Sequence, residues 1–341
     1  MYKISDDVNR IVEELEDLRN KIEGKNFLIT GGAGFIGSWI CDTLNQLGAN
    51  IFCIDNFVTG TKENIKHLLG RKNFELINSD VCSITDIKTP DYIIHAASIA
   101  APQIYQKYPI KTLDANLVGT RKLLELAKEK NVASFLFTST SEVYGHVPDE
   151  MIPTPETFYG YVNSFGPRCM YDEGKRAAEA YCYSYFKEYR LPIRIARIFN
   201  TYGPRLDVSS AGYGRVIIKF IEQSLKGKPL TVYGDGSQTR SFCYITDTVK
   251  GLLKLLLLDG LDGEVVNIGN DKEIKIIDLA YKIKDMTNSS SEITFQPLPK
   301  DDPPRRCPDL TKARNILGYA PRVGLEEGIR KTIEWYKSVM R

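Results

Sequence analysis

The sequence has few residues of the kinds that bind metals or form disulfide frames. It contains only three histidines, at positions 67, 95 and 146. Its seven cysteines are scattered, odd in number and never spaced as Cys-x-x-Cys. We therefore expect no metal site and no disulfide frame, and we interpret the thiols as free in a reducing, cytoplasmic compartment.

The sequence also lacks a large excess of positive or negative charge and has no long apolar run. The 45 Lys and Arg residues against 43 Asp and Glu give a net charge of +2, which indicates neither nucleic-acid nor membrane binding. The longest aliphatic run, LLKLLLL at 252–258, is too short to span a bilayer. Charges begin at Lys3, and no apolar core of signal-peptide type follows. The composition, with 43% hydrophobic residues, is typical of a soluble globular protein.

Short apolar runs alternate with helical patterns over most of the chain. Buried strands that alternate with helices indicate a parallel sheet covered on both faces. We therefore predict an α/β fold, with a Rossmann-type doubly wound parallel sheet at 26–200 and a smaller C-terminal α+β substrate-binding region at 201–341. Exchange of strands and helices between the two regions is expected. The runs predicted to be strands of the sheet lie at 26–30, 50–55, 74–78, 92–96, 134–139 and 193–197.

The first 25 residues form a separate N-terminal helical extension in this interpretation. Their apolar residues are spaced by alternating steps of four and three, which is a heptad pattern. The helix could lie on its own domain or bind a partner, and three heptads do not decide between the two. The apolar positions are Ile4, Val8, Ile11, Leu15, Leu18 and Ile22.

The strongest local signal is LITGGAGFIG at 28–37, which follows a predicted strand and opens a helix. Gly31, Gly34 and Gly37 permit a tight turn, close approach of a pyrophosphate and tight helix packing. The helix N-terminus adds amide donors for phosphate oxygens. Asp55, at the tip of the next strand, would accept a hydrogen bond from a ribose 2′-hydroxyl and repel a 2′-phosphate. The sequence therefore predicts a dinucleotide site that prefers NAD to NADP.

Polar residues follow three further predicted strands. Asp80 could meet the adenine or simply cap a loop, and the small residues of HAAS at 95–98 allow a cofactor to pass close to the backbone. We expect a structural role for His95. TSTSEVYG at 138–145 places hydroxyls and then Glu142 at the end of a strand. These groups could hold a substrate alcohol, with Glu142 as an acid or base, or could cap a turn.

Tyr171 and Lys175 lie four residues apart on a predicted helix. At this spacing the two side chains share one face of the helix. An ammonium beside a phenol favours the phenolate, so Lys175 could lower the pKa of Tyr171 and make it a base near neutral pH. Tyr-x-x-x-Lys alone also arises by chance.

Together, TGGAGFIGS, Asp55, TSTSEVYG and Tyr171-x-x-x-Lys175 resemble the extended short-chain dehydrogenase/reductase family, in its nucleotide-sugar epimerase and dehydratase branch. Within that branch the chain is most similar to the members that decarboxylate UDP-glucuronate. The resemblance runs from about residue 26 to about residue 340. It is carried by FELINSDV, PIKTLDANLVGT, GPRCMYDEGKR, RIARIFNTYGPR, PLTVYGDGSQTRSF and DDPPRRCPD.

The resemblance implies an NAD-dependent carboxy-lyase that converts UDP-glucuronate to UDP-xylose through a 4-keto intermediate. The implied catalytic residues are Thr140, Ser141, Glu142, Tyr171, Lys175 and Arg306. The implied NAD-binding residues are Gly31, Gly34, Phe35, Ile36, Gly37, Asp55, Asn56, Phe57, Gly60, Asp80, Val81, Ala96, Ala97, Ser98, Thr138, Tyr171 and Lys175. The implied substrate-binding residues are Tyr105, Asn200, Arg215, Tyr233, Arg240 and Arg306.

The family also implies a homodimer through a four-helix bundle. The helices at 113–130 and 173–189 would form it, and Tyr181, Tyr185 and Phe186 fit either that seam or the core of the chain itself.

Some residues depart from the family pattern and leave alternatives open. SIAAPQ at 98–103 replaces a proline and a serine near the substrate, Cys307 replaces a lysine, and DVSSAGYGR at 207–215 is longer than usual. A UDP-sugar 4-epimerase or a nucleotide-sugar 4,6-dehydratase therefore remains an alternative, since both begin with the same oxidation at C4. A noncatalytic NAD-binding protein is a third.

Overall fold

The computed structural model describes residues 2–85, 87–206, 215–299 and 301–339. Most of the long loop noted above, 207–214, lies outside the described residues. The α-helices are α1 (Ile4–Glu14), α2 (Phe35–Gln46), α3 (Pro102–Lys107), α4 (Pro109–Lys130), α5 (Cys169–Tyr189), α6 (Val216–Leu225), α7 (Ile245–Leu257), α8 (Ile276–Thr287), α9 (Thr311–Leu317) and α10 (Leu325–Val339).

The strands alternate with these helices in the first half of the chain. They are β1 (Asn26–Thr30), β2 (Asn50–Asp55), β3 (Phe74–Asn78), β4 (Tyr92–His95), β5 (Ser134–Thr140), β6 (Ile193–Ile198), β7 (Thr201–Tyr202), β8 (Leu230–Tyr233), β9 (Thr239–Ser241), β10 (Cys243–Tyr244), β11 (Val265–Ile268), β12 (Glu273–Lys275), β13 (Ile293–Gln296) and β14 (Arg305–Arg306).

The centre of the fold is a seven-stranded parallel sheet in the order β3-β2-β1-β4-β5-β6-β11. α2 and α7 pack on one face, and α4 and α5 pack on the other, so the central strands are buried on both sides. The strand order reverses between β1 and β4, and the carboxyl ends of strands at such a switch point form a crevice. The Rossmann-type sheet expected from the sequence is confirmed.

The C-terminal region contributes to the sheet as well as forming its own small layers. β11, from the region at 201–341, pairs with β6 at the edge of the main sheet. Elsewhere β8 pairs with β13, β7 with β10, and β9 lies between β12 and β14. β11 thus completes the main sheet, while the division at residue 200 and the exchange of elements between two regions stay predictions.

The N-terminal extension packs on the chain itself. α1 lies against α2 and α7, and the following residues tighten into a 3-10 helix at Glu16–Lys21, so the predicted heptad is not one continuous helix. Its apolar residues Val8, Ile11, Leu15, Leu18 and Ile22 are buried in the main core. Of the two alternatives, the structure supports a helix that lies on its own domain.

A buried carboxylate fastens this extension to the C-terminal helix. Asp7 is 1% exposed. Its carboxylate forms an ion pair with Lys331 of α10 at 2.7 Å and accepts hydrogen bonds from the hydroxyls of Tyr244, at 2.7 Å, and Tyr2, at 2.9 Å. Across the described residues, no helix is both long and apolar enough to cross a membrane.

We expect Asp7→Ala to lower the free energy of unfolding by about 3 kcal/mol, because removal of one partner of a buried ion pair leaves the other uncompensated. Urea unfolding followed by circular dichroism measures the change. Asp6→Ala, one position away and exposed, is the matched control and should change the free energy by less than about 0.5 kcal/mol. Equal effects of the two substitutions would contradict a fastening role for Asp7.

Candidate active site

A cavity of about 380 Å³ opens at the carboxyl ends of the sheet strands, at the switch point between β1 and β4. This volume is in the range of small-molecule sites. Every residue that the sequence assigned to the site lies on the wall of this cavity, except Phe57 and Gly60. No group of three or more His, Cys, Asp or Glu side chains is placed to hold a metal ion in the part of the chain that the structure describes.

The glycine-rich turn between β1 and α2 fits a dinucleotide. Gly31 has φ of +70°, and a Cβ there would lie 2.8 Å from the backbone of Ala96. A Cβ on Gly37 would lie 2.1 Å from the carbonyl oxygen of Gly31. Both positions therefore require glycine. α2 begins at Phe35, and its first turn lines the cavity, so its amide groups and positive dipole end are available to a pyrophosphate.

Asp55, at the carboxyl end of β2, is held by the backbone. Its carboxylate accepts from the amides of Ala33 at 2.9 Å and Phe57 at 2.8 Å. Burial raises the pKa of Asp55, although these amide bonds oppose the rise. A Cβ on Gly60 would lie 2.8 Å from the carboxylate. Phe57 and Gly60 therefore shape the loop behind Asp55 rather than the cavity wall.

Asp80, after β3, closes the same end of the cavity. It accepts hydrogen bonds from the amide of Cys82 and the side chain of Asn56, both at 2.8 Å. Burial acts to raise the pKa of Asp80, but these two bonds outweigh it, and the pKa is lowered. Asp80 thus both caps the 3-10 turn at Val81–Ser83 and faces the cavity, so the two roles proposed for it are compatible.

Tyr171 and Lys175 lie in the first turns of α5 and are both buried. The Lys175 ammonium donates to the carbonyl of Thr138 at 2.7 Å, and burial lowers its pKa to about 7. The ring of Tyr171 stacks on the ring of Tyr105, with centroids 5.5 Å apart. Tyr171 and Lys175 therefore line the cavity beside the carboxyl end of β5.

The pKa of Tyr171 is raised overall, and burial rather than Lys175 is the largest cause of the shift. Burial raises the pKa of the Tyr171 phenol well above its usual value. A hydrogen bond with Thr140 lowers it, whereas the negative charges of Glu142 and Asp172 raise it further. The phenol is protonated in this arrangement, so positive charge must come close to it before it can act as a base.

Glu142 is held between two guanidinium groups. β5 ends at Thr140, whose hydroxyl caps a 3-10 turn by accepting from the amide of Glu142 at 3.2 Å. The Glu142 carboxylate pairs with both terminal nitrogens of Arg306, one at 2.8 Å, and with Arg168. Burial alone would raise the pKa of Glu142, but the charges of Arg168 and Arg306 outweigh it and hold the pKa low. Glu142 is therefore an ionised carboxylate.

Two of the cavity arginines, Arg240 and Arg306, come from paired strands. Arg306 in β14 and Arg240 in β9 are register partners. The guanidinium of Arg240 donates to Asp302 at 2.9 Å, and burial lowers its pKa. Asn200, which also lines the cavity, donates to the carbonyl of Ser241 at 3.3 Å. This end of the cavity thus carries cationic and amide donors for an anionic ligand.

The remaining candidates complete the wall or support it. Tyr233 accepts a hydrogen bond from Lys219 at 3.1 Å, and Arg215 precedes α6, with both Tyr233 and Arg215 facing the cavity. His95 is buried, and its ring nitrogens lie 2.9 Å and 3.0 Å from the hydroxyls of Thr30 and Thr120. Burial lowers its pKa to about 3, which accords with the structural role expected for it.

Sequence reasoning missed Arg168 and Asp172 as site residues. Arg168 precedes α5, lines the cavity and bonds both Glu142 and, at 3.4 Å, Asp172. A signal was available, because Arg and Asp at i and i+4 near the start of a helix commonly pair. Nothing in the sequence indicated that Glu142, 26 residues earlier, would join them.

Comparison with known proteins identifies the family. The model of the NAD dependent epimerase/dehydratase family matches residues 27–269 of this chain. The chain belongs to this family. It is 48% identical over 313 residues to UDP-glucuronic acid decarboxylase 1 of Xenopus tropicalis, with 92% of this chain and 72% of the relative covered. It is 46% identical over 304 residues to UDP-glucuronic acid decarboxylase 5 of Arabidopsis thaliana, with 89% and 86% covered.

Solved structures of the family share its fold. UDP-glucose 4-epimerase of Thermotoga maritima, solved with UDP-glucose, superposes with a TM-score of 0.84 at 31% identity, covering 93% of this chain and all of that one (100%). UDP-glucuronic acid 4-epimerase of Bacillus cereus, solved with UDP-glucuronic acid and NAD, has a TM-score of 0.80 at 29% identity, covering 92% and 99%. Family membership and the glycine turn agree on NAD as the cofactor.

Proposed function

We propose that this enzyme decarboxylates UDP-glucuronate to UDP-xylose with NAD as a cofactor that is regenerated in each cycle. One observation carries the proposal: Arg306 is buried in the cavity wall, in a cluster of charges that acts on Tyr171 of α5, and a guanidinium at this place suits a sugar carboxylate. The decarboxylases of Xenopus and Arabidopsis, at 48% and 46% identity, support the same reaction.

Each reacting group of the chain has a task in this proposal. Gly31, Gly37 and Asp55 would hold NAD, which would supply a reversible acceptor for the hydride of the sugar C4. Tyr171 takes the proton of the C4 hydroxyl, and Thr140, which bonds the phenol, helps to orient that hydroxyl. Oxidation at C4 makes the sugar acid a β-keto acid, which loses CO2 to leave an enolate delocalised onto the new ketone. Arg306 holds the carboxylate until it leaves.

Glu142 and Ser141 lie at the carboxylate end in this proposal. Glu142 is ionised and cannot donate a proton while both arginines hold it, so its first task is to orient Arg306. The enolate would then take a proton at C5 from water, and Tyr171 would return its proton to the C4 oxygen. Diphosphate oxygens would be held by Asn200, Arg215 and Arg240, and the base would lie near Tyr233.

The direct test is incubation of the purified enzyme with UDP-glucuronate and NAD. We expect release of one CO2 for each UDP-xylose formed, measured by trapped radiolabelled CO2 and by chromatography of the nucleotide sugar. Accumulation of UDP-galacturonate without CO2 would instead establish a 4-epimerase. UDP-glucose, offered in parallel, would reveal a 4,6-dehydratase by the loss of water.

The role of Tyr171 is tested by Tyr171→Phe. We expect turnover to fall by at least about 100-fold, since a positioned acid–base group contributes about 10² to 10⁴ in rate. NAD affinity, followed by calorimetry, should stay within about threefold, because the ring and its stacking on Tyr105 remain. Tyr105→Phe is the matched control, because it removes a hydroxyl from the same pair of stacked rings. Normal turnover of Tyr171→Phe would contradict the role of Tyr171 as the base.

We also propose that two copies associate through α4 and α5. Of the two places considered for the aromatic residues, the chain's own core accounts for Tyr185, which is buried there, and for Tyr181 and Phe186, which pack against it. The same helices nevertheless leave Val118 and Tyr183 exposed, together with Ile110 and Tyr189. Exposed apolar side chains on two adjacent long helices support burial in a four-helix bundle.

Light scattering after size exclusion tests this dimer. We expect the wild-type mass to be twice 38.5 kDa and the double variant Val118→Glu, Tyr183→Glu to run at 38.5 kDa, because charges in an apolar seam oppose association. Tyr281→Glu, which replaces a tyrosine 55% exposed on α8, is the control and should leave the mass unchanged. A wild-type monomer would contradict the proposal.

A cytoplasmic location is likewise proposed. All seven cysteines are free, and five of them are buried. Free thiols persist where the compartment is reducing, which supports that location.

A further inference from the structure

Four charged side chains form a buried cluster beside Tyr171. Glu142, Arg168, Asp172 and Arg306 have side chains at most 16% exposed. Arg168 lies between the two carboxylates and bonds Glu142 with a terminal nitrogen and Asp172 through Nε at 3.4 Å. Asp172 does not line the cavity, whereas the other three do. Asp172 therefore reaches a ligand only through Arg168.

The two carboxylates of this cluster differ in their partners. Glu142 accepts from both arginines through both of its oxygens. Asp172, 6% exposed, has one long bond to Arg168, and its Oδ1 has no hydrogen-bond partner within the described part of the chain. A buried carboxylate oxygen without a donor favours the protonated form of its group. Asp172 is thus the carboxylate that can exchange a proton.

The charges around Asp172 point the same way. Burial raises its pKa first, and the charge of Glu142, from the turn after β5, raises it further. Arg168, before α5, and Arg306, of β14, oppose the rise without cancelling it, so the pKa stands at about 7. From α3, the hydroxyl of Tyr105 interacts with Arg168. Near neutral pH the cluster therefore has two cations, one fixed anion and one carboxyl that is partly protonated.

We propose that Asp172 is a positioning residue that takes up a proton when a ligand carboxylate binds to the arginine cluster, and so keeps the buried charges balanced. With Asp172 protonated, the cluster carries one net positive charge. An arriving carboxylate then brings the sum to zero. With Asp172 ionised, the same ligand would leave one uncompensated negative charge in a buried site, which is costly. Ligand binding and protonation are therefore linked, and each favours the other.

This linkage also acts on Tyr171. The negative charge of Asp172 raises the pKa of the adjacent phenol. Protonation of Asp172 removes that charge, while Arg168 continues to favour the phenolate. Binding of a substrate that carries a carboxylate therefore does not add to the charges that oppose ionisation of the base. An uncharged sugar at the same position would not trigger the proton uptake.

The inference rests on the proposed function, and its test is chosen to separate the two. UDP-glucuronate binding to the Tyr171→Phe enzyme with NAD, which does not turn over, is measured by calorimetry in two buffers of different ionisation enthalpy. We expect uptake of about half a proton per ligand at pH 7, since a group that titrates near that pH is about half ionised. UDP-glucose, which lacks the carboxylate, should give an uptake near zero.

Substitutions at Asp172 test whether this residue is the one that takes up the proton. Asp172→Asn in the same background should abolish the uptake with UDP-glucuronate, and Asp172→Glu should restore it. Asp302→Asn, which removes another carboxylate paired with a cavity arginine, should retain it. A second measurement keeps Asp172 unchanged and so does not depend on the folding of a variant at that position. Proton uptake should fall at pH 5, where Asp172 is already protonated before the ligand binds.

Undiminished uptake in Asp172→Asn, an uptake that does not fall at pH 5, or equal uptake with UDP-glucose would overturn the inference. Absence of UDP-glucuronate binding would overturn both the inference and the proposed function. Proton uptake together with a wild-type enzyme that releases no CO2 would overturn the proposed function alone. CO2 release by the wild type without uptake would overturn the inference alone.

Discussion

The pairing of Glu142 with two arginines is the interaction on which the site depends. The carboxylate follows β5, Arg168 precedes α5, and Arg306 belongs to β14. A buried carboxylate of this kind is tolerated only with such partners, so the three segments must come together for the fold to close. The C-terminal region is thereby fastened to the reactive end of the sheet, and the guanidinium groups reach the cavity in a fixed orientation.

Features that depend on local backbone rules were predictable from the sequence. Six of the seven strands of the Rossmann sheet and the turn at Gly31 and Gly37 follow from apolar runs and from positions where no Cβ fits. β11 was harder to place, because so short a strand, VVNI, does not reveal its partner strand. Likewise the heptad at 4–22 predicted an apolar stripe correctly but not the tightening into a 3-10 helix after Glu14.

The candidate site was predictable in its members more than in its electrostatics. The spacing of Tyr171 and Lys175 gives a shared helix face but not the atom that Lys175 contacts, and the carbonyl of Thr138 takes its ammonium. Burial then sets the phenol's proton affinity, which no spacing rule contains. Arg168 and Asp172 were missed for a related reason, since their importance comes from Glu142, distant in sequence.

The register of β9 and β14 has a mechanical consequence. Arg240 and Arg306 stand opposite each other on two paired backbones, and neighbouring strands are about 4.8 Å apart. Because Arg240 and Arg306 belong to two hydrogen-bonded strands, their backbone positions cannot shift independently of each other. If both arginines bind anionic groups of one substrate, as proposed, this fixed backbone spacing limits which separations of those groups both guanidinium groups can match.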